Sequence, residues 1–310
     1  MRIHVLGSAA GGGVPQWNCG CPNCRTARRS IQRSAVSARL HPSSLIPHPS
    51  LRRTQSSVAV SADGKRWVLL NASPDLCTQF ASFPSLGPSG GKLRGSPLEA
   101  VVLTDGEMDH VTGLLSLREQ KNLRLVCTKG VLNLLKHDFP ILPALGRYFE
   151  IQHSSFPSRI AGLQILAEDV SGKAPPYAKR ASRNGDVTGL RIKSVETGKT
   201  LVYLPGVSAI TNRVRRLVDG CDCLLLDGTF WSNDEMTSLG LTKRTAHDMG
   251  HVPISGDGGS LAWLSGLNVK RRIYIHINNT NPVLRKGSRE RKAVERAGVE
   301  IAHDGMDFRL

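Results

Sequence analysis

The sequence TDGEMDH, residues 104–110, places three carboxylates and one imidazole within six positions. It directly follows the apolar run LEAVVL, so these side chains stand at the end of a predicted strand. Asp105, Glu107, Asp109 and His110 could therefore direct several oxygens and one ring nitrogen at a single point. The alternative is an Asx turn and the N-cap of the following helix. This motif alone does not separate the two interpretations.

Two further motifs place polar side chains at the ends of apolar strands. LDGTFW contains Asp227, and the glycine-flanked HDMGH downstream contains His251. An Asp–His pair of this kind can move protons or orient a ligand. IHINNTNP places His276 at a strand end, before three asparagines. Each residue also has a structural alternative. Asp227 could be a turn aspartate, His251 a surface histidine, and His276 a core histidine whose hydrogen bonds are satisfied within the protein.

The segment WNCGCPNC, residues 17–24, brings three thiols within six positions. Cys19, Cys21 and Cys24 are close enough in sequence to bind one ion. Zinc prefers four ligands in a tetrahedron, so this motif lacks one ligand. The spacing predicts a zinc site, with a redox pair or unligated thiols as alternatives. A site with four protein ligands would be structural rather than catalytic.

The sequence predicts that short strands and helices position these motifs. SSVAVSADGKRWVLLNAS predicts a hairpin around Asp63 and Gly64. Strands then alternate with helices, one of them expected over residues 110–120. Hairpins followed by this alternation indicate an α/β fold with two sheet halves and outer helices. In such folds polar residues at the carboxyl ends of strands meet in a shared cleft.

Length and composition are those of a globular chain. It has 310 residues, 40% hydrophobic and 21% charged. No apolar run reaches the ~20 residues that span a bilayer, and the N-terminus lacks a signal peptide's apolar region. We therefore expect a cytoplasmic protein with reduced thiols. Residues 41–53, HPSSLIPHPSLRR, predict a flexible surface insertion.

The net charge of +16 raises the question of an acidic partner. Arginines cluster early in the chain, at Arg25, Arg28, Arg29, Arg33, Arg39, Arg52 and Arg53. The alternatives are a nucleic-acid site, a solvated basic face and a basic rim for an acidic substrate. Only 5% of residues are aromatic and none interleave with these arginines, which argues against stacking of single strands. GSAAGGG fits no nucleotide-binding pattern, so we expect a tight loop beside the cleft.

Several motifs together resemble one family along nearly the whole chain. VLGSAAGGGVPQWNCGCPNC, NASPD, DHVTGLLSLRE, APPY, CLLLDGTFW, MGH, IHINNTNP and DGM are similar to the pyrroloquinoline quinone (PQQ) biosynthesis protein B family. The resemblance implies the four-layer αββα sandwich of the metallo-β-lactamase superfamily, as a single domain over residues 1–310.

The resemblance also implies a role in making PQQ from a precursor peptide whose Glu and Tyr are cross-linked and released. One implied activity is iron-dependent hydroxylation of the tyrosine ring of that intermediate. A second is carriage of PQQ or a precursor toward the periplasm. A third possibility, from similar superfamily members with the same cysteine start, is a metal-dependent phosphodiesterase or nuclease.

The metal ligands depart from those of hydrolytic superfamily members, which carry H-x-H-x-D-H. Both histidines of the first metal site are replaced, and TLVYLPG lacks the bridging aspartate. The second site keeps Asp109, His110 and His276, the two-His-one-carboxylate set of non-haem Fe(II) oxygenases, with open positions for O₂ and substrate. Asp105 is expected as a further ligand or as an acceptor for an imidazole N–H.

The resemblance assigns roles to other residues as well. Asp227 and His251 resemble a pair that would handle protons. In phosphodiesterase relatives the fourth zinc ligand is a histidine three residues after the last active-site histidine. Asn279, a poor zinc ligand, stands at that position here, which leaves Asn279, another residue or water as the fourth ligand. The expected partners are a Glu–Tyr-type substrate, O₂ and other PQQ-pathway proteins, and a homodimer is left open. Neither nucleic acid nor a membrane span is expected.

Overall fold

The computed structural model describes residues 1–30, 51–88 and 90–310. Its strands are β1 Arg2–Gly7, β2 Ser57–Ser61, β3 Trp67–Leu70, β4 Leu98–Val102, β5 Asn122–Val126, β6 Glu150–Ser154, β7 Ser158–Ile160, β8 Leu163–Asp169, β9 Thr188–Ser194, β10 Thr200–Leu204, β11 Cys223–Asp227, β12 Arg271–Ile275, β13 Glu300–Ile301 and β14 Asp307–Arg309. Within the described residues they form two mixed sheets, ordered β14-β1-β2-β3-β4-β5-β6 and β13-β12-β11-β10-β9-β8-β7.

The helices are short and lie on the outer faces of the sheets. They are α1 over residues 22–30, α2 Leu76–Ser82, α3 Met108–Val111, α4 Lys129–Asn133, α5 Ile141–Leu145, α6 Asn212–Val218, α7 Glu235–Ser238, α8 Ser260–Ser265 and α9 Arg289–Arg296. A π-helical turn, Leu134–Asp138, follows α4, and 3₁₀ turns cover Pro84–Leu86, Thr112–Leu117, Pro176–Ala178, His247–Met249 and Pro282–Leu284. Hydroxyl caps begin α4, α6 and α9, as expected for Thr and Ser at those positions.

Three apolar clusters account for four layers. The central cluster joins residues of both sheets, such as Ile3, Val60, Leu201 and Ile273, all fully buried. A second cluster packs α2 to α5 on the first sheet, and a third packs α6, α8 and α9 on the second. The strands in the middle of each sheet, such as β2, β3, β10 and β11, therefore bury one face between the sheets and the other under helices. The αββα sandwich expected from the resemblance is confirmed.

The strands that carry the polar motifs end at one edge of the sandwich. β10, β11 and β12 are parallel neighbours, so Asp227 and His276 leave the sheet side by side. Loop bridges join the two sheets at the same edge: Ala9 pairs with Ile277, and Asp105 pairs with Val187. The predicted meeting of strand ends therefore occurs across both sheets.

The structure differs from the sequence-based expectations in two places. The helix expected over residues 110–120 is the short α3 followed by a 3₁₀ turn. In that turn Gly113 packs so closely that a Cβ would lie 2.1 Å from the carbonyl oxygen of Ser73. The sequence did not indicate β6, whose half-exposed polar residues hide the alternation of a strand.

The predicted insertion over residues 41–53 lies mostly outside the described residues. Its last residue, Arg53, exchanges two backbone hydrogen bonds with Val14, both 2.8 Å. The described end of this segment is therefore anchored beside the glycine loop. Among the described residues no helix is long and apolar enough to cross a membrane.

Candidate metal centre

Asp109, His110 and His276 come together at the edge where β4 and β12 end. The Oδ2 atom of Asp109 lies 3.1 Å from Nε2 of His276 and 4.0 Å from Nε2 of His110. One ligand atom from each residue lies within 4.8 Å of the others. Nε2 of His110 is buried and has no hydrogen-bond partner among the described residues. The three side chains could therefore hold one metal ion.

Asp105 lies behind His110, and other groups occupy its oxygens. They are 2.8 and 2.9 Å from Nδ1 of His110. The backbone N–H of Glu107 and the hydroxyl of Thr104 also donate to this carboxylate. Of the two roles expected for Asp105, this geometry favours the acceptor that orients the imidazole. His110 then offers Nε2 to the ion.

Three carboxylates, those of Asp105, Glu107 and Asp109, shift the pKa values of the groups at this site. Burial opposes a charge on His110, but Asp105 and Asp109 outweigh it and raise its pKa to about 9. Burial, together with the same two carboxylates, raises the pKa of Glu107 to about 7. The pKa of Asp109 lies well below its usual range, because His110 and His276 outweigh its burial. A cation bound here would relieve this repulsion.

Asp227 and His251 form the second pair. Asp227 is fully buried and receives hydrogen bonds from four donors. These are the backbone N–H of Val207 at 3.0 Å, the backbone N–H and hydroxyl of Thr229 at 3.0 and 2.6 Å, and Nδ1 of His251 at 2.7 Å. The ring of His251 stacks on that of His276, with centroids 5.5 Å apart. The predicted pair is therefore assembled next to the candidate metal ligands.

Asp227 and His251 each shift the pKa of the other toward its charged form. Burial alone would raise the pKa of Asp227, but His251 outweighs it and the pKa is lowered. Burial likewise opposes charge on His251, and Asp227 outweighs it, so the pKa of His251 is raised. The imidazole of His251 is thus biased toward holding a proton.

The sequence does not single out Thr229, whose only signal is its place two residues after Asp227. Its hydroxyl lies 2.9 Å from both Nδ1 and the carbonyl oxygen of His276. His276 itself has a φ of +58°, in the left-handed region that residues other than glycine rarely adopt. Backbone of this kind persists where its surroundings over-determine it.

The three cysteines form a separate cluster, also within 4.8 Å of one another. The amide nitrogen of Asn279 lies 3.3 Å from the sulfur of Cys24 and 3.7 Å from that of Cys21. Asn279 therefore lies at the position expected of a fourth ligand. In this orientation its amide donates to the sulfurs, and a half-turn of the amide would present the oxygen.

Two further residues organise the cysteine cluster, and the sequence does not indicate either role. The buried amide of Asn23 donates to the backbone carbonyls of Asn279 and Asn281, both at 2.9 Å. The guanidinium of Arg28 donates to the carbonyl of Cys19 at 2.6 Å. Asn23 thus ties the cysteine segment to the chain that follows His276.

Two glycines lie in loops that border the site. A Cβ at Gly206 would lie 4.0 Å from Cε1 of His251, so this turn borders the site without offering a carboxylate. At Gly11 a Cβ would lie 3.4 Å from Oδ2 of Asp109. The glycine loop therefore approaches the cleft, as its composition predicts.

Known proteins share this fold. Residues 66–277 match the model of a beta-lactamase superfamily domain. A crystal structure of a diphosphatase from the PhnP family aligns with 100% of this chain and 97% of its own, at a TM-score of 0.66 and 22% identity. The architecture and the matched residues define a member of the beta-lactamase superfamily.

Other relatives are similar over their full length. Coenzyme PQQ synthesis protein B of Methylococcus capsulatus is 42% identical, with 100% of both chains aligned. The crystal structure of Zn(2+)-bound PqqB from Methylobacterium extorquens has 37% identity and a TM-score of 0.84, again covering both chains fully. The chain belongs to the coenzyme PQQ synthesis protein B family, and its function lies in PQQ synthesis.

Proposed function

We propose that the chain is an iron-dependent hydroxylase that acts, in PQQ synthesis, on the tyrosine ring of a Glu–Tyr-derived intermediate. One observation carries this proposal: Asp109, His110 and His276 converge as two imidazoles and one carboxylate. This ligand set is the one found in non-haem Fe(II) oxygenases, with positions left open.

The residues fit an ion on physical grounds. Nε2 of His110 is a buried ring nitrogen with no hydrogen-bond partner in the described part of the chain, and such an atom is costly unless something binds it. Oδ2 of Asp109 lies 4.0 Å from this nitrogen and 3.1 Å from Nε2 of His276. An iron(II) ion held by these three residues would supply the activation of O₂, which no side chain offers.

Proton transfer is assigned to His251. Its Nδ1–H is directed at Asp227, so Nε2 is the atom that would exchange a proton with the phenol of the substrate. Asp227 is fully buried and its oxygens are occupied, so it orients His251 and does not meet substrate. In the overall reaction one oxygen atom enters the ring, the other leaves as water, and an external reductant gives two electrons.

The basic character of the chain suits an acidic substrate. With a net charge of +16, the surface would attract a Glu–Tyr-derived molecule with several carboxylates. We place the reaction in the cytoplasm, where other PQQ-pathway proteins would deliver the intermediate.

The cysteine cluster is proposed as a structural zinc site. Cys19, Cys21 and Cys24 would supply three thiolates, and Asn279 the fourth group. A Cys21→Ser variant should then lose zinc and stability while iron stays bound. If this variant loses iron and keeps zinc, the two sites have been assigned the wrong way round.

Anaerobic metal analysis tests the proposed iron ligands. Metal-free protein is loaded with Fe(II), and bound iron is counted in wild type, His110→Ala and His276→Ala. An exposed histidine changed in the same way, His303→Ala, is the matched control. We expect one iron fewer in both ligand variants and no change in the control. Equal iron in all four proteins would refute the assignment.

A hydrolysis assay separates the proposal from a phosphodiesterase. Phosphodiester cleavage in this superfamily uses two metals, and the first site here lacks its ligands. We expect no appreciable turnover of bis-(p-nitrophenyl) phosphate with added zinc or manganese. Robust turnover that disappears in His276→Ala would favour the hydrolase.

A further inference from the structure

The hydroxyl of Thr229 has more polar neighbours than one proton can satisfy. Its oxygen lies 2.6 Å from Oδ1 of Asp227, 2.9 Å from Nδ1 of His276, 2.9 Å from the carbonyl oxygen of His276 and 3.1 Å from Nδ1 of His251. Thr229 is only 2% exposed. The hydroxyl therefore connects the candidate metal ligand to the Asp–His pair inside the protein.

Counting protons fixes the direction of each bond. A hydroxyl donates one hydrogen and accepts up to two. The shortest contact is to the charged carboxylate of Asp227, so the hydroxyl hydrogen goes there. Nδ1 of His251 is already directed at the other oxygen of Asp227, at 2.7 Å. The bond between Thr229 and Nδ1 of His276 then requires that this nitrogen carry the hydrogen.

We propose that Thr229 is a positioning residue, which holds His276 in its Nδ1–H tautomer and so keeps Nε2 free to bind the metal. The inference rests on the proposed function, because it takes His276 as a ligand of that metal. It adds a link that neither the family resemblance nor the ligand set specifies. Through Asp227, the same hydroxyl joins His276 to His251.

The strained backbone of His276 supports a positioning role. Its φ is +58°, and its carbonyl oxygen lies 2.9 Å from the hydroxyl oxygen of Thr229. The chain on either side is held as well. The backbone N–H of Asn278 donates to the carbonyl of Thr229 at 3.0 Å, and that of Gly228 donates to Ile275 at 2.8 Å. Thr229 therefore contacts both the ring and the backbone of the ligand.

Histidine tautomers are measured directly by long-range ¹H–¹⁵N spectra of ¹⁵N-histidine-labelled protein, loaded with zinc only at the cysteine cluster. His276→Ala assigns the signal. We expect a hydrogen on Nδ1 of His276 in wild type and in Thr229→Ser, and its loss in Thr229→Val, which keeps the shape without the hydroxyl. A wild-type His276 whose Nδ1 carries no hydrogen would overturn the inference without reference to any variant.

Metal affinity gives the second measurement. Fe(II) is titrated anaerobically against a competing chelator, and the site is defined by the iron lost in His276→Ala. We expect Thr229→Val to bind this iron about 10–100-fold more weakly. Thr229→Ser should stay near wild type, as should Thr197→Val, which removes a threonine hydroxyl from an exposed turn.

The outcomes separate the two proposals. If wild type binds iron that His276→Ala loses, but Thr229→Val binds as tightly as wild type, the role of Thr229 is refuted and the ligand set stands. If His276→Ala loses no iron, the proposed function itself fails. Failure of Thr229→Ser to restore affinity would also contradict the inference, because serine keeps the hydroxyl.

Discussion

At the scale of single residues, three histidines share one arrangement. Nδ1 of His110 faces Asp105, that of His251 faces Asp227, and that of His276 faces the hydroxyl of Thr229. In each ring Nε2 is left for chemistry in the cleft. Fixing one nitrogen with an oxygen is how proteins set the tautomer and direction of a ligand.

The role of Asp105 can be tested without removing a ligand. Asp105→Asn keeps the shape but weakens the charge that holds His110 in place. We expect Fe(II) affinity to fall about 10–100-fold, measured by chelator competition. Asp257→Asn, on an exposed turn, should leave affinity unchanged. If Asp105→Asn instead removes all bound iron, Asp105 is itself a ligand.

Glu235 predicts a pH dependence of stability. This carboxyl is buried, accepts hydrogen bonds from Thr280 and from the backbone of Trp231, and burial raises its pKa to about 7. A raised pKa in the folded state stabilises the protein at low pH and loses that effect as pH rises through about 7. Relative to Glu235→Gln, wild type should therefore lose on the order of 3 kcal/mol between pH 5 and pH 8.

Urea unfolding at several pH values measures this difference. Gln cannot ionise, so the test is how the difference in free energy of unfolding between wild type and Glu235→Gln changes with pH. The size of that difference at any single pH is not informative. Glu290→Gln, on α9, is the control and should track wild type at every pH. A constant difference between wild type and Glu235→Gln would contradict the prediction.

At the scale of elements, strand ends could be predicted and the contacts between loops could not. The apolar runs before Asp105, Asp227 and His276 predict that these residues share an edge, and they do. The sequence does not single out Thr229 or Asn23, because most of their partners are distant in sequence or are backbone atoms. The sequence also gives no indication of β6, since its residues neither alternate between apolar and polar nor form an apolar run.

The link between the cysteine segment and the loop after His276 predicts a stability effect. Asn23→Ala removes one N–H donor from each of the buried carbonyls of Asn279 and Asn281, and the carbonyl of Asn281 still accepts the backbone N–H of Leu284 at 3.3 Å. We expect a loss of about 1–3 kcal/mol in the free energy of unfolding, the cost of one unsatisfied buried group. Denaturant unfolding of the zinc-loaded protein measures it.

The exposed neighbour Asn18 provides a matched control. Its side chain contacts only Gln16 among the hydrogen bonds of the described residues, so Asn18→Ala should change the free energy of unfolding by less than about 0.5 kcal/mol. Equal effects of the two substitutions would mean that Asn23 does not tie the segments together.

At the scale of the whole molecule, one core between two sheets supports a site at its edge. The sequence gives strand–helix alternation, but the four-layer arrangement followed from resemblance to a family. Physical reasoning from the sequence could not place one sheet on the other, because strands of both sheets have similar apolar patterns. A core substitution far from the site should therefore lower the stability of the fold without weakening metal binding.

Leu201 lies in the central cluster and is fully buried, away from the strand ends that carry the site. Leu201→Ala should lower the free energy of unfolding by about 2–5 kcal/mol, through lost burial and a cavity. Leu241→Ala, at a half-exposed side chain, should have little effect. Iron affinity of both folded variants should match wild type, and a large loss in Leu201→Ala would show that core and site are coupled.

Oxygen uptake tests most directly whether iron held by Asp109, His110 and His276 hydroxylates the substrate. Iron-loaded protein is mixed with a reductant and a Glu–Tyr dipeptide, and O₂ consumption and the mass of the dipeptide are followed. We expect O₂ consumption and addition of one oxygen atom to the tyrosine ring, both lost in His276→Ala. Tight binding of PQQ with no oxygen consumption, or oxygen uptake unaffected by His276→Ala, would refute the proposed hydroxylation.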